Sequence, residues 1–358
     1  MRAGTPTTIE PAPPEAAASP KPSPLAVPSR KGRRAAGAAI AIGAAAALPP
    51  LLLDGTWNAV LALALIYSLM GLSVVVLTGF VGQLSLMPAS FVGLGAYVSG
   101  RLVTGLDTPF WGAAPLAALI VVPAALVIGM VALRLRGLYL AIMTLVFANV
   151  IEEFVFSQKW LIGPERVVDA PRPTLGGIDF SSDKAYYVLV FTLVAIALLA
   201  VRNLSRSRTA RACYAVRDNE DAAQAWGINV AKYKLLAFAL SGAIAGFAGA
   251  LYGHWLETVP TGGQRPLFGL EFSLTIVFFT IVGGVRSIWG PVIGGTAWIV
   301  LVRRLLAGSP NGVNIAISIF GIVVLLTMLY RPQGLVAWIS DARDRLRARR
   351  AASAEAAS

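Results

Sequence analysis

The sequence has few charged residues and almost none of the residues that build metal or disulfide sites. Charged types make up 13% of its 358 residues, whereas an ordinary soluble domain has about 25%. The chain has a single cysteine, Cys213, and a single histidine, His254. These counts exclude a disulfide framework, a thiolate zinc cluster and an HExxH metal site. No Gly-Lys dipeptide occurs, so the chain has no Walker A loop and any ATP used must bind to another chain.

Charge is missing above all from long continuous stretches. Residues 55–100 contain no acidic or basic residue, and hydrophobic types reach 56% of the chain. A membrane-spanning helix needs roughly 20 apolar residues, so this stretch alone has room for two. The composition excludes a soluble enzyme and predicts an all-α polytopic membrane protein. The net charge of +12 is explained by Lys and Arg retained on the cytoplasmic side of the membrane, so no nucleic-acid partner is expected.

The chain divides into a tail, a membrane domain and a second tail. Residues 1–34 are rich in proline and alanine and end in basic residues, which predicts a disordered cytoplasmic tail. Residues 35–335 form the predicted transmembrane domain, and residues 336–358 form a basic cytoplasmic tail. The first apolar run, 35–53, predicts a span, although a signal peptide cleaved near Ala45–Ala47 is an alternative.

Nine further apolar segments follow the first run. Their approximate bounds are 57–79, 84–103, 111–133, 137–157, 185–202, 234–253, 271–286, 288–304 and 312–330. The prediction is therefore about ten transmembrane helices, within a range of about eight to ten. Some segments are short and broken by Gly or Pro, which predicts discontinuous helices around a cavity enclosed by protein.

The charge of the loops predicts the orientation of the chain. The loop of residues 203–233 has an excess of basic residues, whereas the loop 158–185 is balanced. Because positive loops stay inside, both termini and Cys213 are expected in the cytoplasm. Arg303 and Arg304 fall on the opposite side in this scheme and conflict with it.

The segment Gly82–Tyr97 combines small residues, a proline and polar side chains at membrane depth. Pro88 removes a helix donor and predicts a kink in the helix that surrounds it. One interpretation is a bent segment that faces a translocation path. The other is a tight helix crossing, in which small residues let two backbones approach. The candidate path residues are Gln83, Ser85, Pro88, Ser90 and Gly93.

The loop 203–233 favours a short amphipathic helix. Its apolar positions recur with helical spacing on one face, and Gly227 is a plausible stop. These positions are Cys213, Val216, Ala223, Trp226 and Val230. Such a helix suits either docking into a groove on a partner or lying in the lipid headgroup layer.

Two further patterns predict packing and a loop. The pairs with GxxxG spacing, which are Gly242/Gly246, Gly249/Gly253 and Gly290/Gly294, predict close helix packing. His254, Glu257 and Arg265 follow Gly253 and are expected in a solvated loop, without a catalytic role.

Several of these stretches together resemble the LivM-type permease of branched-chain amino acid ABC importers. The resemblance covers roughly residues 35–335. It is carried by Gly82–Tyr97, Arg134–Ile142, Arg211–Gly253, Gly283-Gly284 with Trp289–Gly294, and Arg331–Leu335. It implies a type II-like ABC importer permease in the bacterial inner membrane, with no cofactor, metal or catalytic residue.

The resemblance also implies partners and a coupling loop. Asp221, Ala222 and Ala223, with Gly227 four residues later, resemble the EAA loop by which importer permeases contact their ATPases. The implied partners are a LivH-type permease in a heterodimer, two ABC ATPase subunits, a periplasmic substrate-binding protein, membrane lipid and a small-molecule substrate.

The substrate and the energy source have alternatives. Met87-Pro88 stands where the family commonly has Gly-His after Ser-Leu, so urea, amides and other small amino-acid-like solutes are candidates beside branched-chain amino acids. A stand-alone secondary carrier would need no ATPase. A polytopic membrane enzyme would need convergent nucleophile and base groups, which the sequence does not suggest.

Overall fold

The structure is a computed structural model, and it describes most of the chain from residue 54 onward. The described ranges are 54–135, 137–162, 167–175, 178–260, 267–302, 312–330, 334–336 and residue 338. The predicted tail 1–34, the predicted first span 35–53, Arg303, Arg304 and most of the tail 336–358 lie outside these ranges.

Within the described ranges the chain forms mainly helices, labelled α1 to α12. Their bounds in chain order are Gly55–Val74, Pro88–Leu106, Phe110–Ala132, Leu138–Val150, Lys159–Ile162, Asp183–Leu204, Arg208–Asp218, Glu220–Ala225, Val230–Leu256, Leu270–Gly283, Gly290–Val300 and Gly312–Tyr330. A π-helical turn extends α1 over Val75–Gly79, and another extends α4 over Ile151–Val155.

Two short antiparallel strand pairs lie at one end of the helices. Strand β1 (Val167–Asp169) pairs with β4 (Thr258–Pro260), with Val168 opposite Val259. Strand β2 (Thr174–Leu175) pairs with β3 (Ile178–Asp179). The β1–β4 pair ties the α5–α6 connection to the end of α9. We call this end of the molecule the hairpin end and the opposite end, which carries residues 203–233, the loop end.

The helices have the length and composition of a polytopic membrane protein. Five helices in the described ranges are long and apolar enough to cross a membrane: Gly55–Gly79, Phe110–Ala132, Leu138–Val155, Asp183–Leu204 and Val230–Leu256. Helices α10 and α11 are apolar but shorter, as the segments 271–286 and 288–304 predicted. The all-α polytopic fold is confirmed, while the number of spans stays a prediction.

Helices α1 and α9 form the centre of the bundle. In the apolar span of α1 89% of the residues are buried, and in that of α9 61%, against 28% in α4. Helix α9 packs against α1, α2 and α3. The outward faces of α3, α4 and α6 carry large exposed apolar side chains, such as Leu119, Phe154 and Leu199. Those faces suit a hydrocarbon surrounding.

The predicted glycine packing is confirmed, because neighbouring helices approach these glycines at backbone distance. A Cβ atom at Gly249 of α9 would overlap the carbonyl oxygen of Val92 on α2. A Cβ atom at Gly294 of α11 would overlap the carbonyl oxygen of Phe279 on α10. Contacts this close exclude any side chain larger than hydrogen, which is how small residues bring helices together in membranes.

Candidate functional site

The chain between α1 and α2 is irregular over residues 82–87, which we call the broken segment. The prediction of one kinked helix over 84–103 is wrong at its start. Pro88 occupies the first turn of α2, where its missing N–H takes no intrahelical bond in any case. Pro88 therefore begins the helix instead of bending it, and the preceding residues leave helical geometry.

The broken segment runs from the loop end into the bundle. Gln83 contacts Glu220 at the loop end, whereas Ser85 and Pro88 border a cavity together with Ser241 of α9. Ser241 lies about two helical turns further along α9 than Lys234. Gln83 and Ser85 are only 5% and 6% exposed. Gly82 and Leu84 of the same segment are exposed, so protein encloses the segment on one side only.

Hydroxyl groups from three helices satisfy backbone groups around the broken segment. The Thr78 hydroxyl donates to the Gln83 carbonyl at 3.0 Å. The Leu86 N–H donates to Thr144 Oγ1 on α4 at 3.0 Å, and the Ala89 N–H donates to Ser273 Oγ on α10 at 3.1 Å. Sequence reasoning missed these three hydroxyl residues. A signal was present, because Thr144 and Ser273 are polar residues inside apolar spans.

A small cavity, with space for about one water molecule, adjoins the broken segment. The hydroxyl residues Thr78, Ser85 and Ser241 line it together with apolar side chains. Within the described residues, Ser85 Oγ and Gln83 Oε1 are buried without a hydrogen-bond partner. Such an atom costs about 1–3 kcal/mol of folding free energy. Ser85 and Pro88 line the cavity and Gln83 precedes them in the broken segment; their role as path residues stays a prediction.

The other two candidate path residues lie further along α2. Ser90 is buried, but it is not among the cavity-lining residues. Gly93 faces aromatic rings, because a Cβ atom there would come within 2.6 Å of the Phe156 ring and 2.8 Å of Phe268. Tyr97 contacts both rings at centroid distances of 5.0 and 5.5 Å. The five residues therefore belong to two neighbouring environments.

The loop 203–233 contains two helices, α7 and α8, instead of the single amphipathic helix predicted. Asn219 separates them in an extended conformation, and its side chain accepts from the Ala222 N–H at 3.0 Å. Asparagine caps helices in this way, so α8 starts anew at Glu220. The single apolar face is also wrong, because Cys213, Val216 and Ala223 are buried while Trp226 is 87% exposed.

Gly227 ends α8, as predicted. Its φ is +78°, a left-handed conformation that glycine adopts without steric cost. The Ile228 N–H then donates to the Ala223 carbonyl at 3.0 Å, which closes the helix end.

The four residues that resemble the EAA loop differ in exposure. Asp221, Ala222 and Gly227 are exposed on the surface of α8 and its end. Ala223 is 4% exposed and belongs to the apolar core of this chain. Their contact with an ATPase stays a prediction, and the side chain of Ala223 points inward.

The loop 203–233 contacts the broken segment through a cluster that we call the junction. Glu220 Oε1 lies 2.6 Å from Lys234 Nζ of α9 and accepts from Gln83 Nε2 at 3.5 Å. Arg217 Nη1 donates to the Gly79 carbonyl at 2.7 Å, at the end of the π turn that extends α1. Sequence reasoning missed the junction, since Lys234 looked like an ordinary basic residue next to a span.

Lys234 in the junction is nearly inaccessible. Its side chain is 2% exposed and that of Glu220 is 20% exposed. A buried ammonium group requires a charged or hydrogen-bonding partner, because its desolvation is costly. Aromatic contacts add to the junction: the Phe80 and Tyr214 rings are 5.3 Å apart, and the Arg217 guanidinium lies 5.2 Å from the Tyr214 ring centroid.

The hairpin end corrects the expectation for His254, which was placed in a solvated loop. His254 lies inside α9 and is 0% exposed. Its Nε2 is 3.0 Å from Ser99 Oγ, and its Nδ1 is 2.7 Å from the Pro171 carbonyl oxygen. The helix continues past Gly253, since the β1–β4 pair and these two contacts enclose its last turn.

Arg172 forms the second cluster at the hairpin end. Its Nη2 is 2.9 Å from Asp183 Oδ1, and its Nε forms an ion pair with Glu257 Oε1 at 2.8 Å. The guanidinium carbon lies 5.3 Å from the Tyr186 ring centroid. Glu257 is thus held in an ion pair where a solvated loop was expected.

Comparison with known proteins finds similarity to permeases of branched-chain amino acid transport systems. Residues 57–330 match the family model "Branched-chain amino acid transport system / permease component". The chain is 30% identical to the high-affinity branched-chain amino acid transport system permease protein LivM of Escherichia coli, over 82% of this chain and 72% of the relative. LivM of Salmonella typhimurium is 30% identical, over 76% of this chain and 68% of the relative.

A more distant relative is the probable permease LivH of Methanocaldococcus jannaschii, 28% identical over 59% of this chain and 62% of its own length. No solved structure matches the chain. The family model covers all five long apolar helices, the broken segment and the junction. The chain therefore belongs to the permease-component family of branched-chain amino acid transport systems and is a multi-pass membrane permease.

Proposed function

We propose that this chain is the permease subunit of an ATP-driven ABC importer for branched-chain amino acids or related small amino-acid-like solutes. It forms the translocation path with a LivH-type permease in the bacterial inner membrane. Two separate ABC ATPase subunits supply the energy, and a periplasmic binding protein delivers the solute. The chain itself carries out no chemical step, and its work is a change of conformation.

The observation that carries the proposal is the position of α8. Its outer side presents Asp221, Ala222 and Gly227 on the surface, next to the exposed ring of Trp226. Its inner side contacts the broken segment and α9 through Glu220. An element with one face on the surface and the other on a buried polar segment suits the transfer of a partner's movement into the membrane domain.

The surface next to α8 has room for a partner. An open cleft of about 490 Å³ lies between α8 and the end of α3, with Leu133, Gln224, Gly227 and Asn229 among its lining residues. Large exposed aromatic residues are preferred anchors in protein interfaces. We assign Trp226 as the anchor of the ATPase contact, with Asp221, Ala222 and Gly227 around it and Ala223 as the inner support.

The proposal also covers the orientation of the chain in the membrane and the limits of its permease domain. The loop end carries exposed basic residues such as Arg206, Arg211 and Lys232, whereas Arg172 at the hairpin end is paired with two carboxylates. The positive-inside rule then places the loop end and both termini in the cytoplasm. The permease domain spans residues 35–335 between two cytoplasmic tails.

Reconstitution of the whole importer in proteoliposomes tests the function. With the partner permease, the ATPases and the binding protein present, leucine, isoleucine or valine should stimulate ATP hydrolysis and accumulate inside. The complex without this chain is the matched control and should show neither activity. If only urea or short amides stimulate hydrolysis, the transported solute belongs to the urea and amide class instead of the branched-chain amino acids.

Two outcomes would contradict the proposal. Uptake by this chain alone without ATP would identify a secondary carrier. Full stimulated hydrolysis by the complex that lacks this chain would show that this chain is not a required subunit.

A Trp226→Ala variant tests whether the surface around α8 binds the ATPase. Loss of ATPase co-purification supports docking, whereas normal co-purification supports the alternative that α8 lies in the lipid headgroup layer.

A further inference from the structure

Glu220 joins the surface helix α8 to two buried elements with a single carboxylate oxygen. Oε1 lies 2.6 Å from Lys234 Nζ on α9 and 3.5 Å from Gln83 Nε2 on the broken segment. Glu220 directly precedes Asp221, which is exposed on the same short helix. A displacement of α8 therefore reaches Gln83 through one side chain.

The two contacts of that oxygen differ in strength. The ion pair with Lys234 is short and shielded from water, because the lysine side chain is 2% exposed. The bond to Gln83 lies at the long limit for a hydrogen bond and is correspondingly weak. Release of Gln83 thus requires less free energy than separation of Glu220 from Lys234. When α8 is displaced, the contact of Glu220 with Gln83 is therefore the first of the two to change.

The broken segment has unused hydrogen-bonding capacity in its present arrangement. Gln83 Oε1 and Ser85 Oγ are buried and have no partner within the part of the chain that the structure describes. Ser85 borders a cavity with the hydroxyl residues Thr78 and Ser241. A second arrangement of the segment can satisfy these oxygens, so the segment has the features of an element with two conformations.

We propose that Glu220 is the positioning residue that transmits the movement of α8 to the broken segment. Its pairing with Lys234 keeps α8 on α9, and its contact with Gln83 sets the conformation of residues 82–87. This inference rests on the proposed function, because it needs an ATPase to move α8. It assigns to Glu220 a role distinct from partner contact.

The first test separates transmission from assembly in the complete complex. Glu220→Gln should leave ATPase co-purification unchanged and reduce solute-stimulated hydrolysis by about fivefold or more, the usual size of allosteric coupling. Glu271→Gln is the matched control, since it makes the same change at an exposed glutamate at the start of α10. The control should behave as the parent.

A second variant guards against misfolding caused by an unpaired Lys234. The neutral pair Glu220→Gln with Lys234→Met removes both charges, and we expect it to assemble normally and to remain uncoupled. Parent-level stimulated hydrolysis in either variant overturns the inference. A loss of hydrolysis that only parallels a loss of thermal stability and of ATPase association also overturns it, because that pattern indicates a purely structural role.

A labelling experiment observes the broken segment directly. In a Cys213→Ala background, Ser85→Cys provides the only thiol, and its alkylation rate in the complex is measured with and without a non-hydrolysable ATP analogue. The analogue should change the rate by about fivefold or more. Adding Glu220→Gln should abolish that change.

The outcomes distinguish the two proposals. If no ATPase associates with the chain, the proposed function fails, and the inference fails with it. If the ATPase associates and the analogue changes Ser85 labelling equally with and without Glu220→Gln, only the inference is overturned. Association without any effect at Ser85 likewise overturns only the inference.

Discussion

Helix α9 carries one buried polar anchor near each of its ends, and the two are built differently. At the hairpin end both ring nitrogens of His254 have a partner, at 3.0 Å and 2.7 Å. At the loop end Lys234 is paired with Glu220, but the neighbouring Gln83 is held at 3.5 Å and its Oε1 has no partner among the described residues. Both nitrogens of the His254 ring are thus bonded, whereas within the described residues the Gln83 amide is bonded through its nitrogen alone.

The contacts at the two ends of α9 indicate where the permease can change its conformation. At the hairpin end, Arg172 joins Asp183 and Glu257, and the β1–β4 pair adds backbone bonds. Breaking these contacts would cost several interactions at once. At the loop end, the movable part is a short irregular segment with one weak contact to α8. We expect the hairpin end to hold the helices together while the loop end responds to a partner.

The largest stability effect is expected from His254→Ala. The change removes two hydrogen bonds and leaves a cavity in a fully buried site, which should cost about 3 kcal/mol. Unfolding of the detergent-solubilised permease would measure it. Ser99→Ala removes only one of the two contacts and should cost about 1 kcal/mol. A loss below about 0.5 kcal/mol for His254→Ala would show that the hairpin end is not the rigid one.

A smaller effect is expected from Ala223→Trp at the loop end. Ala223 is 4% exposed, so the larger ring overpacks the core and should cost about 2 kcal/mol. Ala222→Trp is the matched control, because Ala222 is the neighbouring residue and its side chain is exposed. The free energy of unfolding of this variant should change by less than about 0.5 kcal/mol. Ala222→Trp should instead weaken ATPase co-purification. Equal stability losses in both variants would contradict this inward and outward assignment.

Arg172→Ala should have an effect of about 1 kcal/mol. The Arg172 side chain is 14% exposed, whereas its partners Asp183 and Glu257 are 39% and 55% exposed. Water therefore compensates much of the lost pairing. Lys184→Ala is the control, because Lys184 is exposed and lies next to Asp183 in α6. It should leave the free energy of unfolding unchanged in the same assay. If Arg172→Ala also leaves the free energy of unfolding unchanged, the Arg172 cluster does not stabilise the hairpin end.

The next prediction concerns the chemical reactivity of the native Cys213 thiol and involves no change in stability. Burial raises the pKa of its thiol to about 11, and the thiolate is the reactive form. Alkylation at pH 8 should therefore be about a hundredfold slower than at an ordinary exposed thiol. The rate should rise about tenfold per pH unit up to about pH 11. Rapid alkylation at pH 8 would show that α7 is not packed as described.

The burial of Cys213 also decides how the orientation should be measured. In a Cys213→Ala background, Arg206→Cys at the loop end and Lys184→Cys at the hairpin end provide exposed thiols. A membrane-impermeant reagent should label Lys184→Cys from outside intact cells or right-side-out vesicles, and Arg206→Cys only after permeabilisation. The reverse pattern would invert the proposed topology.

The class of protein and most of the helix positions could be predicted from the amino-acid sequence. An uncharged apolar run has few stable alternatives to a membrane helix, because a bilayer leaves no water to satisfy the backbone. The predicted segment 111–133 became Phe110–Ala132 for this reason. Local chemistry was readable too: Gly227 stops α8 because the left-handed conformation suits glycine. The motifs that resemble LivM-type permeases led to the family that the comparison confirmed.

The contacts between residues distant in sequence could not be predicted and depend on the packing of the helices. Gln83 and Glu220 are 137 positions apart, and no periodicity in one chain reports a contact of that separation. His254 was misplaced because a polar residue after glycine suggests a loop, whereas Ser99 and Pro171 satisfy its ring inside the bundle. Ala223 and Ala222 differ by one position but lie on opposite sides of α8. Burial and pairing depend on neighbours brought together by packing, and that packing made Glu220, rather than the exposed motif alone, part of the site.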